Sequence, residues 1–165
     1  MWWSDRIAIA GLLLGLLAAC GFEPVYQTGG ALEQRLSQVH VVPQASRIGF
    51  ATRNALLNAI QAPDHPVRPA YRLELTVTGD RERLGIEADE TASRIHVVLQ
   101  TSWTLKQLGE DSKVIDRGNV RRIVPYNVVD DDYASLIAER DAEELAGRMT
   151  GEAIRTRLLL LFRER

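Results

Sequence analysis

The sequence is poor in cysteine and has no excess of positive charge. Cys20 is its only cysteine, so no disulfide bond can form within the chain, and the formal net charge is −2. Nucleic-acid-binding proteins usually carry a basic excess or a dense basic patch, and we therefore predict no nucleic-acid partner. With 165 residues, 45% of them hydrophobic and 25% charged, the chain can bury the core of one globular domain without disulfide bonds.

Patterns typical of catalysis and metal binding are also missing from the sequence. None of the three histidines, His40, His65 and His96, has another histidine or a cysteine at metal-ligand spacing. The aspartates at 130–132 are adjacent rather than spaced as in a calcium loop, and a helix cap explains them better. No serine lies in a nucleophile elbow, and no glycine-rich loop could hold a phosphate. We expect neither an enzyme nor a metal-binding protein.

The one long apolar run lies at the N-terminus. Residues 7–19 are uncharged and follow a short polar head that includes Asp5 and Arg6. A helix of about 13 residues would cover only about 20 Å at ~1.5 Å per residue, less than the ~30 Å hydrocarbon core of a bilayer. The small residues Ala18 and Ala19 end the run. The pattern predicts a signal peptide over residues 1–19, with an uncleaved N-terminal anchor as the alternative.

Cys20 ends the sequence LAAC, which resembles the lipobox of bacterial lipoproteins. The resemblance implies cleavage before Cys20, a diacylglycerol on its thiol and an acyl chain on the new amine, with no other cofactor. Several acyl chains, at ~0.8 kcal/mol per buried CH₂, hold a protein firmly to a membrane, whereas one chain holds it only marginally. A buried or catalytic thiol fits less well directly after a signal run. Because Gly21 rather than aspartate follows, the resemblance implies sorting to the outer membrane.

The rest of the chain is predicted to form a lipidated tether over residues 20–35 and a single domain over residues 36–165. Pro24, Gly29 and Gly30 break regular structure, so we expect the tether to be extended. A short strand is predicted over 36–42, and a helix of about four turns begins after the N-cap candidate Ser46.

Three further strands and a long helix are predicted after residue 70. Apolar and polar residues alternate over 71–78 and again over 94–106, which predicts two strands. The polar segment between these two strands could extend them into a protruding hairpin arm. A third, less regular strand is predicted over 114–124, with a bulge expected at Gly118. The final helix has a predicted apolar stripe made of Leu136, Ala142, Leu145, Ala146, Met149, Ala153 and Ile154. The fold class is α+β: two helices packed on one face of a four-stranded mixed sheet, in the order β-α-β-β-β-α.

Several arginines are predicted on polar strand faces. Arg121 and Arg122 are neighbours in one strand and must point to opposite faces, so one of them can join Arg94 on the open side of the sheet. Guanidinium groups bind phosphates through two hydrogen bonds at once, which would make this patch suited to a phosphate. The alternative is cross-strand pairing with Glu74, Glu82 or Asp116, which contributes little to stability.

The sequence CGFEPVY at 20–26 resembles the C-G-F-x-P-x-Y start of mature LptE-type lipopolysaccharide-assembly lipoproteins, particularly the alphaproteobacterial ones. The predicted order of helices and strands also resembles the fold of that family. The resemblance covers nearly the whole mature chain, but only Cys20 carries over residue by residue.

The resemblance implies an outer-membrane lipoprotein that plugs the β-barrel LptD and assists the transport of lipopolysaccharide to the outer leaflet. It would be anchored by lipid and face the periplasm and the barrel lumen. Lipopolysaccharide carries phosphates and acyl chains, so its binding would call for arginines near apolar side chains, which points to Arg94, Arg121 and Arg122. Two alternatives remain open. One is an accessory lipoprotein of another envelope lipid-transport complex of the ABC type; the other is a lipid-anchored hydrolase, for which a nucleophile and base are missing.

Overall fold

The fold is seen in a computed structural model, which describes residues 30–66, 68–83, 94–109 and 112–164. The predicted signal peptide, Cys20 and most of the predicted tether lie outside these residues. The elements in chain order are α1 (Ala31–Leu36), β1 (Val39–Val41), α2 (Arg47–Ile60), β2 (Tyr71–Arg83), β3 (Arg94–Gln107), β4 (Lys113–Asn127) and α3 (Asp132–Arg163).

The four strands form one mixed sheet in the order β1-β2-β3-β4. β1 is parallel to β2, while β2, β3 and β4 are joined by two antiparallel pairings. The predicted α+β class and element order are confirmed. The bulge expected at Gly118 is not there: the register shifts between Leu105 and Lys106, and Gly118 lies opposite Trp103, where a Cβ would be 2.8 Å from the indole ring.

The core lies between the helices and one face of the sheet. Strand residues that point toward the helices are buried, among them Leu73, Val97, Leu99 and Leu105. Leu73 and Leu105 cluster with Ile154, Leu158, Leu159 and Phe162 of α3. Val97 and Leu99 belong to a second cluster with Ala142 and Ala146. The alternation seen in the sequence therefore separates a covered face from an open face, as expected for a sheet with helices on one side.

A short helix, α1, lies within the segment that was predicted as an extended tether. Ala31–Leu36 is helical, and Leu36 is buried in the main core. The Arg35 guanidinium donates to the Phe162 carbonyl, 3.1 Å away, and so joins α1 to the end of α3. The expected strand over 36–42 is correspondingly reduced to Val39–Val41. A six-residue helix escapes detection by periodicity because it is shorter than two turns.

The two longer helices begin at the caps that the sequence predicts. The Ser46 hydroxyl accepts from the Gly49 amide, and the Asp131 carboxylate accepts from the amides of Tyr133 and Ala134. These bonds satisfy amides that have no partner within the helix. The carboxylate of Asp131 also complements the positive end of the helix dipole.

The contact between α2 and α3 depends on small residues. A Cβ added at Gly151 would lie 3.0 Å from the Leu56 amide nitrogen, and one at Gly147 would lie 3.4 Å from Thr52 Cα. The predicted stripe on α3 is wrong in part, because Leu136, Leu145 and Met149 are 40–43% exposed. Large side chains would hold the helices apart, so the side of α3 toward α2 carries small residues instead.

Candidate functional site

One face of the sheet is not covered by helices in the part of the chain that the structure describes. Gln100 and Ser102 are exposed at its centre. Val98 on the same face is only 1% exposed. We call this surface the open face. Arg94 and Arg121 lie on it, as predicted for one arginine of each strand.

Arg94 and Arg121 are too far apart on the open face to bind one phosphate together. Arg121 pairs with Gln100, which is six residues from Arg94 along β3, so the two positions are separated by about 20 Å. Arg94 Nε donates to Asn127 Oδ1 at 3.4 Å, and Arg121 Nη2 lies 3.5 Å from a carboxylate oxygen of Glu82. Each guanidinium therefore has its own local partner.

Glu74 pairs with two cations on the same face. Its carboxylate lies 2.7 Å from Lys106 Nζ and 3.2 Å from Arg72 Nε. The hydrogen bond from Lys106, aided by the charges of Lys106 and Arg72, lowers the pKa of Glu74. Together with the pair of Arg121 and Glu82, these contacts make the open face a surface with interspersed positive and negative charges. This arrangement agrees with the predicted alternative of ion pairing between strands rather than with a phosphate-binding patch.

Arg122 lies on the opposite face, beneath the helices. It pairs with the buried Leu99, its Nη1 donates to the Arg121 carbonyl at 3.2 Å, and its Nε is buried without a hydrogen-bond partner in the described part of the chain. The structure thus places Arg94 and Arg121 on one side of the sheet and Arg122 on the other. The third acidic residue considered for strand pairing, Asp116, instead accepts from Arg157 of α3 at 2.8 Å.

A second candidate site, with two arginines and the carboxylates of Asp132 and Glu139, lies at the base of the arm formed by β2 and β3. A groove of about 370 Å³ runs between this arm and α3. Arg81 and Arg83 lie along it together with apolar side chains that include Ile95 and Leu136. Arg83 has no ionic partner among the described residues, whereas Arg81 pairs with Glu139. We call this feature the arm groove.

Glu139 lies at the inner wall of the arm groove. It is only 9% exposed, and its second oxygen is 3.5 Å from the Tyr126 hydroxyl. Burial of the phenol, with the negative charge of Glu139 beside it, raises the pKa of Tyr126. One turn further along α3, the buried Glu143 pairs with Arg47 at 2.5 Å. Sequence reasoning missed both glutamates, although their four-residue spacing among alanines was a usable signal.

Asp132 lines the arm groove, but none of the three histidines does. His40 and His96 lie on the open face, at positions that pair with Arg72 and Glu82 of β2. His65 lies in the loop after α2, 3.5 Å from Asp64. Within the described ranges, no group of three potential ligands could hold a metal ion. In the same ranges, no helix combines the length and apolarity needed to cross a bilayer.

The architecture has counterparts among solved structures. A candidate lipoprotein from Caulobacter crescentus matches with a TM-score of 0.70 and 23% identity, over 82% of this chain and 97% of that one. A minor lipoprotein from Acinetobacter baumannii matches with a TM-score of 0.52 and 10% identity, over 76% of this chain and 94% of that one. The chain shares its fold with bacterial lipoproteins.

Sequence comparison adds no closer relative. The chain matches no protein-family model and no curated protein. At the identities found, the shared lipoprotein fold does not transfer binding residues, so the open face and the arm groove have to be judged by their own geometry.

Proposed function

We propose that this protein is an outer-membrane lipoprotein, anchored through Cys20, that plugs an LptD-like β-barrel and assists the transport of lipopolysaccharide to the outer leaflet. The proposal is carried by one combination: the motif LAAC followed by CGFEPVY stands directly ahead of a domain whose fold is shared with bacterial lipoproteins. The role is non-catalytic, because a plug acts by occupying and shaping the barrel.

The surface chemistry supports this role. The lumen of a large outer-membrane barrel is polar and filled with water. The open face presents paired charges and exposed polar residues such as Gln100 and Ser102. Such a surface can contact a hydrated wall without burying unpaired charge.

The arm groove places an arginine beside apolar side chains, as binding of the phosphates and acyl chains of lipopolysaccharide requires. Arg83 can receive a phosphate, since its guanidinium is not used by another described residue. Ile95 and Leu136 lie beside it and can pack against an acyl chain. Arg94 is next to Ile95 in the sequence but points to the open face, where it can contact a second anionic group. Arg121 lies about 20 Å further along the sheet.

The partner is tested by affinity purification from detergent-solubilised membranes. We expect the wild-type protein to recover a large outer-membrane β-barrel protein. Depletion of the protein should reduce the lipopolysaccharide that is labelled on the cell surface. Recovery of an inner-membrane or periplasmic transport complex without a barrel would favour an accessory lipoprotein of an ABC-type system and refute the plug.

The anchor and the ligand contact are tested separately. Cys20→Ala should abolish incorporation of labelled palmitate and leave an unprocessed precursor, and labelling of that variant would refute the lipobox. Arg83→Ala should weaken binding of purified lipopolysaccharide about tenfold, as expected for the loss of one charge-assisted contact. Arg148→Ala, on the outer side of α3, is the matched control and should bind normally. Equal binding by both variants would remove the arm groove from the proposal.

A further inference from the structure

A separate cleft lies at the opposite end of the domain from the arm groove. It is an open cleft of about 530 Å³, lined by residues of α1 and by Gln38, by the first residue of β2, the last residue of β3, Ile115 of β4 and the end of α3. That volume is within the range of small-molecule sites, roughly 300–1,000 Å³. We call it the amide cleft, because glutamine side chains form much of its wall.

Three glutamines face the amide cleft: Gln34, Gln38 and Gln107. None of their side-chain amides has a hydrogen-bond partner among the described residues. Each amide offers two N–H donors and one carbonyl acceptor. Three free amides that line one cleft can together bind a ligand with several hydroxyl groups, since a hydroxyl both donates and accepts.

An aromatic pair lies in the same cleft. The Tyr71 and Phe162 rings are 4.9 Å apart between centroids and inclined at 44°. Phe162 is 3% exposed and fixes the position of Tyr71, which stays partly accessible. The accessible part of Tyr71 offers an apolar surface and a hydroxyl next to the amides, a combination suited to a ligand that has both an apolar face and polar edges.

The cleft carries little charge. None of the described residues that line it is acidic, and its single guanidinium, that of Arg35, donates one hydrogen bond to the Phe162 carbonyl at 3.1 Å. A neutral molecule rich in hydroxyl groups matches the amides without needing an opposite charge in the cleft.

We propose that the amide cleft is a saccharide-binding site. A sugar ring places its C–H face on Tyr71 and its hydroxyls against the amides of Gln34 on α1, Gln38 just after α1 and Gln107 at the end of β3. The site lies apart from the open face and the arm groove, so its occupation does not depend on a barrel partner or on binding of a lipid phosphate.

Saturation-transfer NMR on the full mature lipoprotein tests the site, with maltotriose, mannotriose and galactotriose as probes. The detergent must carry no sugar headgroup, so lauryldimethylamine oxide is suitable. We expect transfer to at least one trisaccharide, and a tenfold weaker affinity in Gln107→Ala. The matched control is Gln100→Ala, an exposed glutamine on the same strand but on the open face, which should leave the affinity unchanged.

Each outcome is decisive for the amide cleft. An affinity that is weakened in Gln107→Ala and in Gln38→Ala but unchanged in Gln100→Ala supports the saccharide site. Absence of transfer to all three trisaccharides overturns it. So does binding that is equally strong in the cleft variants and in the control. Failure here leaves barrel recovery and palmitate labelling unaffected, so the two proposals are tested independently.

Discussion

Gly147 and Gly151 of α3 offer a direct test of how closely the two long helices approach each other. Both glycines are buried in the interior of the same helix, one turn apart, and both face α2. Replacement by alanine should gain similar helix propensity at each position, about 1 kcal/mol. A difference between the two variants therefore reports on the space available to the new methyl group.

The space differs between the two positions. At Gly147 the new Cβ would lie 3.4–3.6 Å from atoms of Thr52, which is ordinary van der Waals contact. At Gly151 it would lie 3.0 Å from Leu56 N and 3.1 Å from the carbonyl group of Ala55. These are backbone atoms of a helix and cannot turn away as a side chain can. Overpacking of this kind costs about 1–3 kcal/mol.

Urea unfolding followed by circular dichroism should rank the variants. Gly147→Ala should raise the free energy of unfolding by up to about 1 kcal/mol. The free energy of unfolding of Gly151→Ala should be about 1–3 kcal/mol lower than that of Gly147→Ala. For a domain of this size, each kcal/mol corresponds to roughly 2–4 °C in Tm. Equal stabilisation in the two variants would refute the close approach of α2 and α3 at Gly151.

Three further predictions concern single charged or titratable groups. Arg122→Met should leave the free energy of unfolding unchanged or raise it by up to about 1 kcal/mol, because Nε is buried without a partner; a loss above ~2 kcal/mol would contradict this. In an alkaline titration followed by absorbance, one tyrosine should ionise at higher pH than the others, because burial and the charge of Glu139 raise the pKa of Tyr126. This late ionisation step should be absent in Tyr126→Phe. The raised pKa contributes stability below pH ~10, lost as the pH rises further; simultaneous ionisation of all tyrosines would refute it. Glu74 has a lowered pKa, so its pairing with Lys106 contributes stability above its unfolded pKa that is lost on acidification through the folded pKa. Glu74→Gln should therefore flatten the acid limb of a stability–pH profile, and an unchanged limb would contradict the pairing.

The sequence predicts the sheet well because strand alternation is a local property. Leu73 and Leu75 face the helices while Thr76 and Thr78 stay exposed, as their period of two requires. The caps are also local, since Ser46 bonds an amide only three residues away. The opposite faces of Arg121 and Arg122 follow from the same alternation.

Other predictions fail where the outcome depends on a neighbouring element. The predicted stripe on α3 follows the spacing of apolar residues, but Leu145 and Met149 are exposed and Gly147 and Gly151 are buried. Hydrophobicity cannot reveal that a second helix packs closely enough to require glycine. The short helix α1 is stabilised by its docking on the end of α3 rather than by its own pattern.

The amino-acid sequence by itself determined the alternation of the three long strands and the residues at which the two long helices begin, because each depends on residues within a few positions of one another. Only the tertiary structure decided which charges are paired and which polar groups are left free. Arg81 meets Glu139 across 58 positions, and Gln34 faces Gln107 across one cleft. Contacts between such distant residues depend on how the helices and strands pack. Patterns within a few residues of the sequence do not predict them.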